Sequence, residues 1–75
     1  MKNIQIMLTN PNEAQEFVNI ASKYDCDISL NGSNCYLDAK SFLGVITQGL
    51  MCRLTVNYDG NDETFIRSIR KFAVA

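Results

Sequence analysis

The stretch CDISLNGSNCYLDAKSFLGVI, residues 26–46, decides the fold of this chain. Apolar and polar residues alternate over residues 26–30 and again over residues 35–39, which is the pattern of half-buried β-strands. The polar cluster NGSN between them is typical of a turn, so the two strands are predicted to form a β-hairpin. A short apolar segment, residues 41–46, follows as a predicted helix with Ser41 at its N-cap.

The segment before this hairpin predicts a strand and a longer helix. Residues 2–8 alternate and are predicted to form the first strand. Asn10 is placed to be an N-cap, Pro11 fits the first helical position, and Glu13 stands where the partner of a capping box belongs. The predicted helix runs to about Tyr24 and has an apolar stripe formed by Ala14, Phe17, Val18 and Ala21.

The segment after the hairpin adds one more strand and one more helix. Residues 53–58 alternate again, and Gly49 suits the end of the preceding helix. From Asp62 onward, apolar residues at helical spacing predict an amphipathic helix that continues to Ala73. The order β-α-β-β-α-β-α predicts an α+β fold, an open-faced β-sandwich in which a four-stranded antiparallel sheet has three helices on one face. We expect residues 1–75 to form a single domain.

The composition argues against several classes of function. The chain has no histidine, and its cysteines, Cys26, Cys35 and Cys52, form no C-x-x-C pair, so we expect reduced cysteines, no metal site and no cofactor. A serine nucleophile would have no base to activate it, and we expect no enzyme activity. The net charge of −1 argues against nucleic acid as a partner. No apolar run reaches the roughly 18 residues of a membrane span, and no export signal begins the sequence, so we expect no membrane insertion and a cytoplasmic protein.

Three segments of the chain carry a family resemblance: ASKYD at residues 21–25, DISL at residues 27–30 and DAKSFLGV at residues 38–45. They closely resemble HPr, the small phosphocarrier of the bacterial sugar phosphotransferase system. The resemblance runs without gaps from about Asn10 to Leu50 and continues more loosely into the last helix. It implies the same α+β architecture that the alternation of strands and helices predicts.

HPr proteins bear a phosphoryl group on a histidine at the start of the first helix, within a His-Ala-Arg-Pro pattern. The resemblance places these positions on Asn10, Pro11, Asn12 and Glu13, so every member of the set is changed. Asparagine cannot form a phosphoramidate as histidine does, and the Glu13 carboxylate would repel an incoming phosphate dianion. We therefore expect no catalytic residue at this helix start.

The resemblance implies a second site, at the start of the second helix. In many Gram-positive bacteria a serine there is phosphorylated by a dedicated kinase and the product binds a transcriptional regulator; the matching residue is Ser41. The helix dipole and free amides would stabilise that phosphate, but serine is also a preferred cap in its own right, so both interpretations stay open. The family's apolar docking patch falls on Phe42, Leu43 and Ile46, and we expect Phe42 above all to stay exposed. Gln48 departs from the leucine that is often found there.

These observations predict a non-catalytic HPr-like protein that acts as a regulatory or interaction module of the phosphotransferase system. Its partners would be proteins of that system or of carbon regulation: a kinase, a transcriptional regulator or a transport component. Two alternatives stay open, namely a phosphocarrier that uses a non-histidine acceptor and an unrelated small α+β binding domain.

Overall fold

The computed structural model describes residues 2–60 and 63–74 of the chain. Its strands are β1 (Lys2–Ile6), β2 (Ile28–Asn31), β3 (Tyr36–Asp38) and β4 (Leu54–Tyr58). Its helices are α1 (Pro11–Ala21), α2 (Phe42–Gln48) and α3 (Glu63–Ile69), and a 3-10 turn at Arg70–Phe72 follows α3. The order of elements is the predicted β-α-β-β-α-β-α.

The four strands form one sheet in the order β1-β4-β2-β3, and every neighbouring pair is antiparallel. Val56 on β4 stands opposite Ile4 on β1 and opposite Leu30 on β2. Leu30 in turn stands opposite Leu37 on β3. Because strand side chains alternate between faces, this register gathers the apolar residues of all four strands on one face of the sheet.

The helices cover that apolar face and complete the core. Helix α1 contributes the predicted stripe of Ala14, Phe17, Val18 and Ala21, all of which are buried. The rings of Tyr58 and Phe65 lie 4.8 Å apart and join β4 to α3. The other face of the sheet is polar and at least partly exposed; it presents Gln5, Ser29, Asn31, Tyr36, Asp38, Thr55 and Asn57. The predicted open-faced sandwich, an α+β fold with helices on one side, is confirmed.

Several element boundaries differ from the prediction. Strand β1 ends at Ile6, and Leu8, which is buried, forms an isolated parallel bridge with Leu50. Helix α1 ends at Ala21 instead of Tyr24. The Tyr24 amide donates to the carbonyl of Ala21, three residues before it, at 3.2 Å, which is the tighter spacing of a turn and not that of an α-helix.

The end of α2 also departs from the expected glycine geometry. Gly49 is the C-cap, as predicted, but its φ of −107° needs no glycine. A Cβ at this position would lie 2.8 Å from the Val45 carbonyl oxygen, so close packing is the reason that a glycine fits here. The left-handed residue of this turn is Met51, with a φ of 62°.

The C-terminal part of the chain is helical for a shorter distance than predicted. The predicted start at Asp62 lies outside the described residues. The α-helix ends at Ile69, and Ala73, predicted on the helical stripe, is exposed and bridges Ile6 instead. The Val74 amide donates to the Gln5 carbonyl at 2.9 Å. The chain end thus satisfies backbone groups along the outer edge of β1, which a helix could not do.

Candidate functional site

The start of α1 is closed by a network of side-chain hydrogen bonds. Asn10 is the N-cap, with extended backbone angles (φ −155°, ψ 167°), and its Oδ1 accepts the Glu13 amide at 2.9 Å. Glu13 Oε1 in turn accepts the backbone amide and the hydroxyl of Thr9, each at 2.8 Å. The predicted capping pair is therefore present, but Glu13 reaches back to Thr9 and not to Asn10 as in a standard capping box.

This network removes most of the donors that an anion would need at the helix start. Pro11, at the first helical position, has no amide hydrogen. The Glu13 amide is already bonded to Asn10, and the Ala14 amide donates to the Asn10 carbonyl at 3.1 Å. The Glu13 carboxylate already lies at the positive end of the helix dipole, where a bound phosphate would be stabilised.

The electrostatics of Glu13 follow from the same contacts. Hydrogen bonds from the Thr9 amide, and next from the Thr9 hydroxyl, hold the pKa of Glu13 below its ordinary value of 4.5. Partial desolvation opposes this shift, and the charge of Lys71 adds a smaller lowering of the pKa. Glu13 is therefore ionised at neutral pH, and the first turn of α1 already contains a negative charge.

Asn10 and Asn12, onto which the resemblance maps the family's histidine and arginine, are both exposed. Asn10 uses its side-chain oxygen as an acceptor for the cap. Neither amide side chain has a nitrogen that can be phosphorylated or a positive charge that would hold phosphate. The side chains of Asn10 and Asn12 therefore offer no phosphate acceptor at this helix start.

The start of α2 has an unused hydroxyl. Ser41 occupies the predicted N-cap position, and its carbonyl accepts the Val45 amide at 3.0 Å. The prediction of Ser41 as the N-cap residue is confirmed, but its side chain makes no capping hydrogen bond. The ψ of Ser41 is 97°, against 167° at the Asn10 cap, and the hydroxyl consequently misses the amides of the first turn. Ser41 is exposed.

The backbone around Ser41 is nevertheless held firmly. The Ser41 amide donates to the Asp38 carbonyl at 3.0 Å, and the Lys40 amide donates to Asp38 Oδ1 at 2.9 Å. Lys40 Nζ donates to the Tyr24 carbonyl at 2.6 Å, which ties this turn to the end of α1. The exposed hydroxyl therefore projects from a fixed backbone.

The predicted docking residues differ in exposure. Leu43 is 68% exposed, whereas Phe42 and Ile46 are half-buried and pack against the core. The expectation that Phe42 would be the most exposed of the three is wrong. Val45, the one buried residue of α2, fixes the rotation of the helix, and this rotation turns Leu43 to the outside.

Sequence reasoning missed two residues near these helix starts. Thr9 supplies both donors to the Glu13 carboxylate. It precedes the N-cap, and the capping-box motif assigns no role to that position. Met51 is 67% exposed, and its amide donates to the Leu8 carbonyl at 2.8 Å. That bond places the segment after α2 beside the segment that enters α1. Asn10 and Ser41 are therefore found near opposite ends of α2.

Metal centres and membrane-spanning helices are two further features that residues 2–60 and 63–74 could form. Within those ranges no three side chains of the metal-binding types come together. The same residues include no helix with the length and apolar character needed to cross a membrane. The three cysteines are free thiols; Cys52 is exposed, and Cys26 and Cys35 are half-buried.

Comparison with known families settles what kind of domain these helix starts belong to. The family model described as the PTS HPr component phosphorylation site matches residues 10–73. The chain belongs to the HPr family. The match begins at Asn10 and includes Ser41, so both helix starts lie inside the HPr domain. The predicted family is confirmed, whereas no curated protein matches the chain.

Solved HPr structures have the same fold. HPr-C-His from Thermoanaerobacter tengcongensis is 25% identical with a TM-score of 0.76, over 95% of this chain and 89% of that one. The phosphocarrier protein HPr of Bacillus anthracis str. Ames is 25% identical with a TM-score of 0.70, over 97% and 94% of the two chains. The histidine-containing phosphocarrier protein of Mycoplasma, at 21% identity, a TM-score of 0.74 and coverage of 93% and 89%, shares the fold.

Proposed function

We propose that this HPr family protein is a non-catalytic, cytoplasmic regulatory or interaction module of the phosphotransferase system. The observation that supports this most is the closed network at the start of α1. Asn10 stands where the family's phosphohistidine would be, and its side chain is bonded to the Glu13 amide. The ionised Glu13 occupies the adjacent space and would repel phosphate.

Incubation with phosphoenolpyruvate and the first enzyme of the phosphotransferase system tests this proposal. A histidine-containing HPr serves as the positive control, and we expect this chain to gain no acid-labile phosphate under the same conditions. Mass mapping after the reaction would locate any label. Phosphate on a carboxylate or a cysteine would contradict the proposal and favour the alternative of a phosphocarrier with a non-histidine acceptor.

Two variants sharpen the same experiment. Asn10→His alone should accept phosphate poorly, because Glu13 still places a negative charge at the helix start and Asn12 provides no positive one. A variant that combines N10H with N12R and E13P restores the family's residue types and should accept phosphate faster than the single variant. Equal transfer to both variants would show that the residues around Asn10 do not limit the reaction.

We propose further that Ser41 is a regulatory phosphorylation site. Its hydroxyl is exposed and makes no capping bond, so a kinase would not have to break an existing interaction. The turn formed with Asp38 holds the residue in place at the surface. The absence of a cap bond weakens the alternative that Ser41 is present only to cap α2.

The kinase that modifies HPr is the reagent for testing Ser41. We expect it to modify this chain and to leave Ser41→Ala unmodified. Ser33→Ala is the matched control, since Ser33 is also an exposed serine but lies in the β2–β3 turn. If the kinase modifies a histidine-containing HPr and leaves this chain untouched, the proposal for Ser41 fails.

The surface around Ser41 is proposed to dock its partners: a kinase, a transcriptional regulator or a transport component. Leu43 is the exposed apolar residue beside Ser41, and Phe42 and Ile46 border it. Leu43→Ser should lower kcat/KM of the kinase for Ser41. Tyr36→Ser is the control, because Tyr36 is equally exposed but lies on the polar face of the sheet. An equal loss in both variants would contradict docking through α2.

A further inference from the structure

A groove with a volume of about 360 Å³ lies between the β2–β3 turn and the C-terminal end of α2. Cys35 lines it from the turn, and Cys52 lines it from the segment that follows the helix. These two cysteines are distant in sequence, and neither takes part in the network at α1 or in the proposed site at Ser41. The fold therefore places two free thiols at one groove.

The position of the Cys35 sulfur depends on Gly32. A Cβ on residue 32 would lie 2.7 Å from Cys35 Sγ, so the missing side chain provides the room in which this sulfur lies. The same Cβ would lie 4.0 Å from the carbonyl oxygen of Arg53, the residue after Cys52. Gly32 therefore lies beside both the Cys35 thiol and the residue that follows Cys52.

Cys52 is the accessible member of the pair. Its side chain is exposed, and its Sγ lies 3.9 Å from the Gln48 carbonyl oxygen at the end of α2. Sulfur is a weak hydrogen-bond donor, so rotation of the side chain away from this carbonyl costs little. Cys52 belongs to the connection between α2 and β4 and lies in neither element.

We propose that Cys35 and Cys52 form a thiol pair that a low-molecular-weight disulfide, RSSR, oxidises to an intramolecular disulfide. The Cys52 thiolate attacks one sulfur of RSSR, the S–S bond breaks, and RS⁻ leaves and takes up a proton as RSH. The Cys35 thiolate then attacks the Cys52 sulfur of the mixed disulfide, and a second RSH is released. Both protein thiols are oxidised and lose their protons, and one RSSR is reduced to two RSH, which take up those two protons.

This bond would tie the β2–β3 turn to the C-terminal end of α2. The N-terminal end of the same helix follows Ser41. A disulfide needs Cα atoms within about 7 Å of each other. Disulfide formation in the folded protein therefore measures how readily the two segments approach to that distance. Cys26 provides an internal control because it precedes β2, at the end of the strand opposite to the turn, and it does not line this groove.

Oxidation of the full chain with glutathione disulfide, followed by non-reducing peptide mapping, tests the pair. We expect a Cys35–Cys52 linked peptide in the monomer, formed about tenfold faster than any product that contains Cys26. Cys26→Ser should leave the linked peptide unchanged, and Cys35→Ser should stop the reaction at a glutathione adduct on Cys52. In urea, the preference for the Cys35–Cys52 pair should disappear.

Three results would overturn the proposal. One is a wild-type chain that stops at the Cys52 adduct, because Cys35 then does not reach it. Another is a dimer linked through Cys52, and the third is a disulfide that includes Cys26 at a comparable rate. Cys52→Ser provides a second variant if Cys35→Ser does not fold, and it should form no intramolecular disulfide under the same conditions.

Discussion

Helices α1 and α2 pack side by side, and the two differ in how their N-termini are built and how firmly they are anchored. At α1, Asn10 and Glu13 use their polar atoms in bonds within the helix start. At α2, the Ser41 hydroxyl makes no such bond. Helix α1 buries several residues of its stripe, whereas α2 buries only Val45.

The start of α1 is bonded within itself, whereas the start of α2 has side chains that are available for contacts. Unsatisfied amides at a helix end cost stability unless a side chain or water bonds to them. The start of α1 meets this need from the chain's own residues, so a ligand there would have to displace existing bonds. The start of α2 leaves Ser41 and Leu43 exposed, so a modification or a partner displaces nothing of the protein. The two helix starts of this HPr family protein therefore differ in what a ligand or a modification would have to displace.

The largest effect on stability should come from Val45, the one buried residue of α2. Val45→Ala removes buried methyl groups and should lower the free energy of unfolding by about 2 kcal/mol. Leu43→Ala, two residues away but exposed, should change it by less than about 0.5 kcal/mol. Urea unfolding measures both values. Hydrogen exchange of V45A should show loss of protection in α2 before α1, and equal loss in both helices would contradict the difference in anchoring.

A smaller effect should separate the two caps. Asn10→Ala removes the acceptor of the Glu13 amide and should cost about 1 kcal/mol of unfolding free energy. Ser41→Ala removes no capping bond and should cost less than about 0.5 kcal/mol. Urea midpoints of the two variants, measured side by side, test this pair. A Ser41→Ala variant as unstable as Asn10→Ala would mean that the hydroxyl does cap α2 in solution.

The sequence predicts those features that depend on a repeated pattern. The stripe of α1 repeats at helical spacing over several turns, and the strands alternate over their whole length, so the elements and their buried faces follow directly. Asn10, Pro11 and Glu13 form a local motif whose geometry the chain itself determines. For these features no distant contact is needed, and the structure confirms them, except that Glu13 accepts from Thr9 and not from the Asn10 amide.

The features that the sequence does not predict depend on tertiary contacts. Helix α2 has only seven residues, too few for a periodic stripe to decide whether Phe42 or Leu43 faces out; the packing of Val45 decides it. The ψ of Ser41 follows from the turn with Asp38, and not from the type of residue at the cap. Ala73 leaves the helical pattern because the open edge of β1 provides backbone partners.

The smallest effect concerns the pH dependence of the α1 network. Because the Thr9 donors favour the ionised form, the pKa of Glu13 lies below its ordinary value of 4.5 in the folded protein. Such a depressed pKa contributes stability that is fully present above the unfolded-state pKa and is lost as the pH falls through the folded-state pKa. Wild type should therefore be more stable than Glu13→Gln above pH 4.5, and the gap should shrink below it.

Titration of Glu13 by NMR, through its side-chain carboxyl carbon, gives the pKa directly and allows the donors to be separated. Thr9→Val removes the hydroxyl but keeps the amide, which is the larger cause of the shift, so the pKa should rise part of the way and stay below 4.5. Added salt should change it little, because the charge of Lys71 is the smallest of the causes. A pKa that returns to 4.5 in Thr9→Val would assign the effect to the hydroxyl, and a strong dependence on salt would assign it to Lys71.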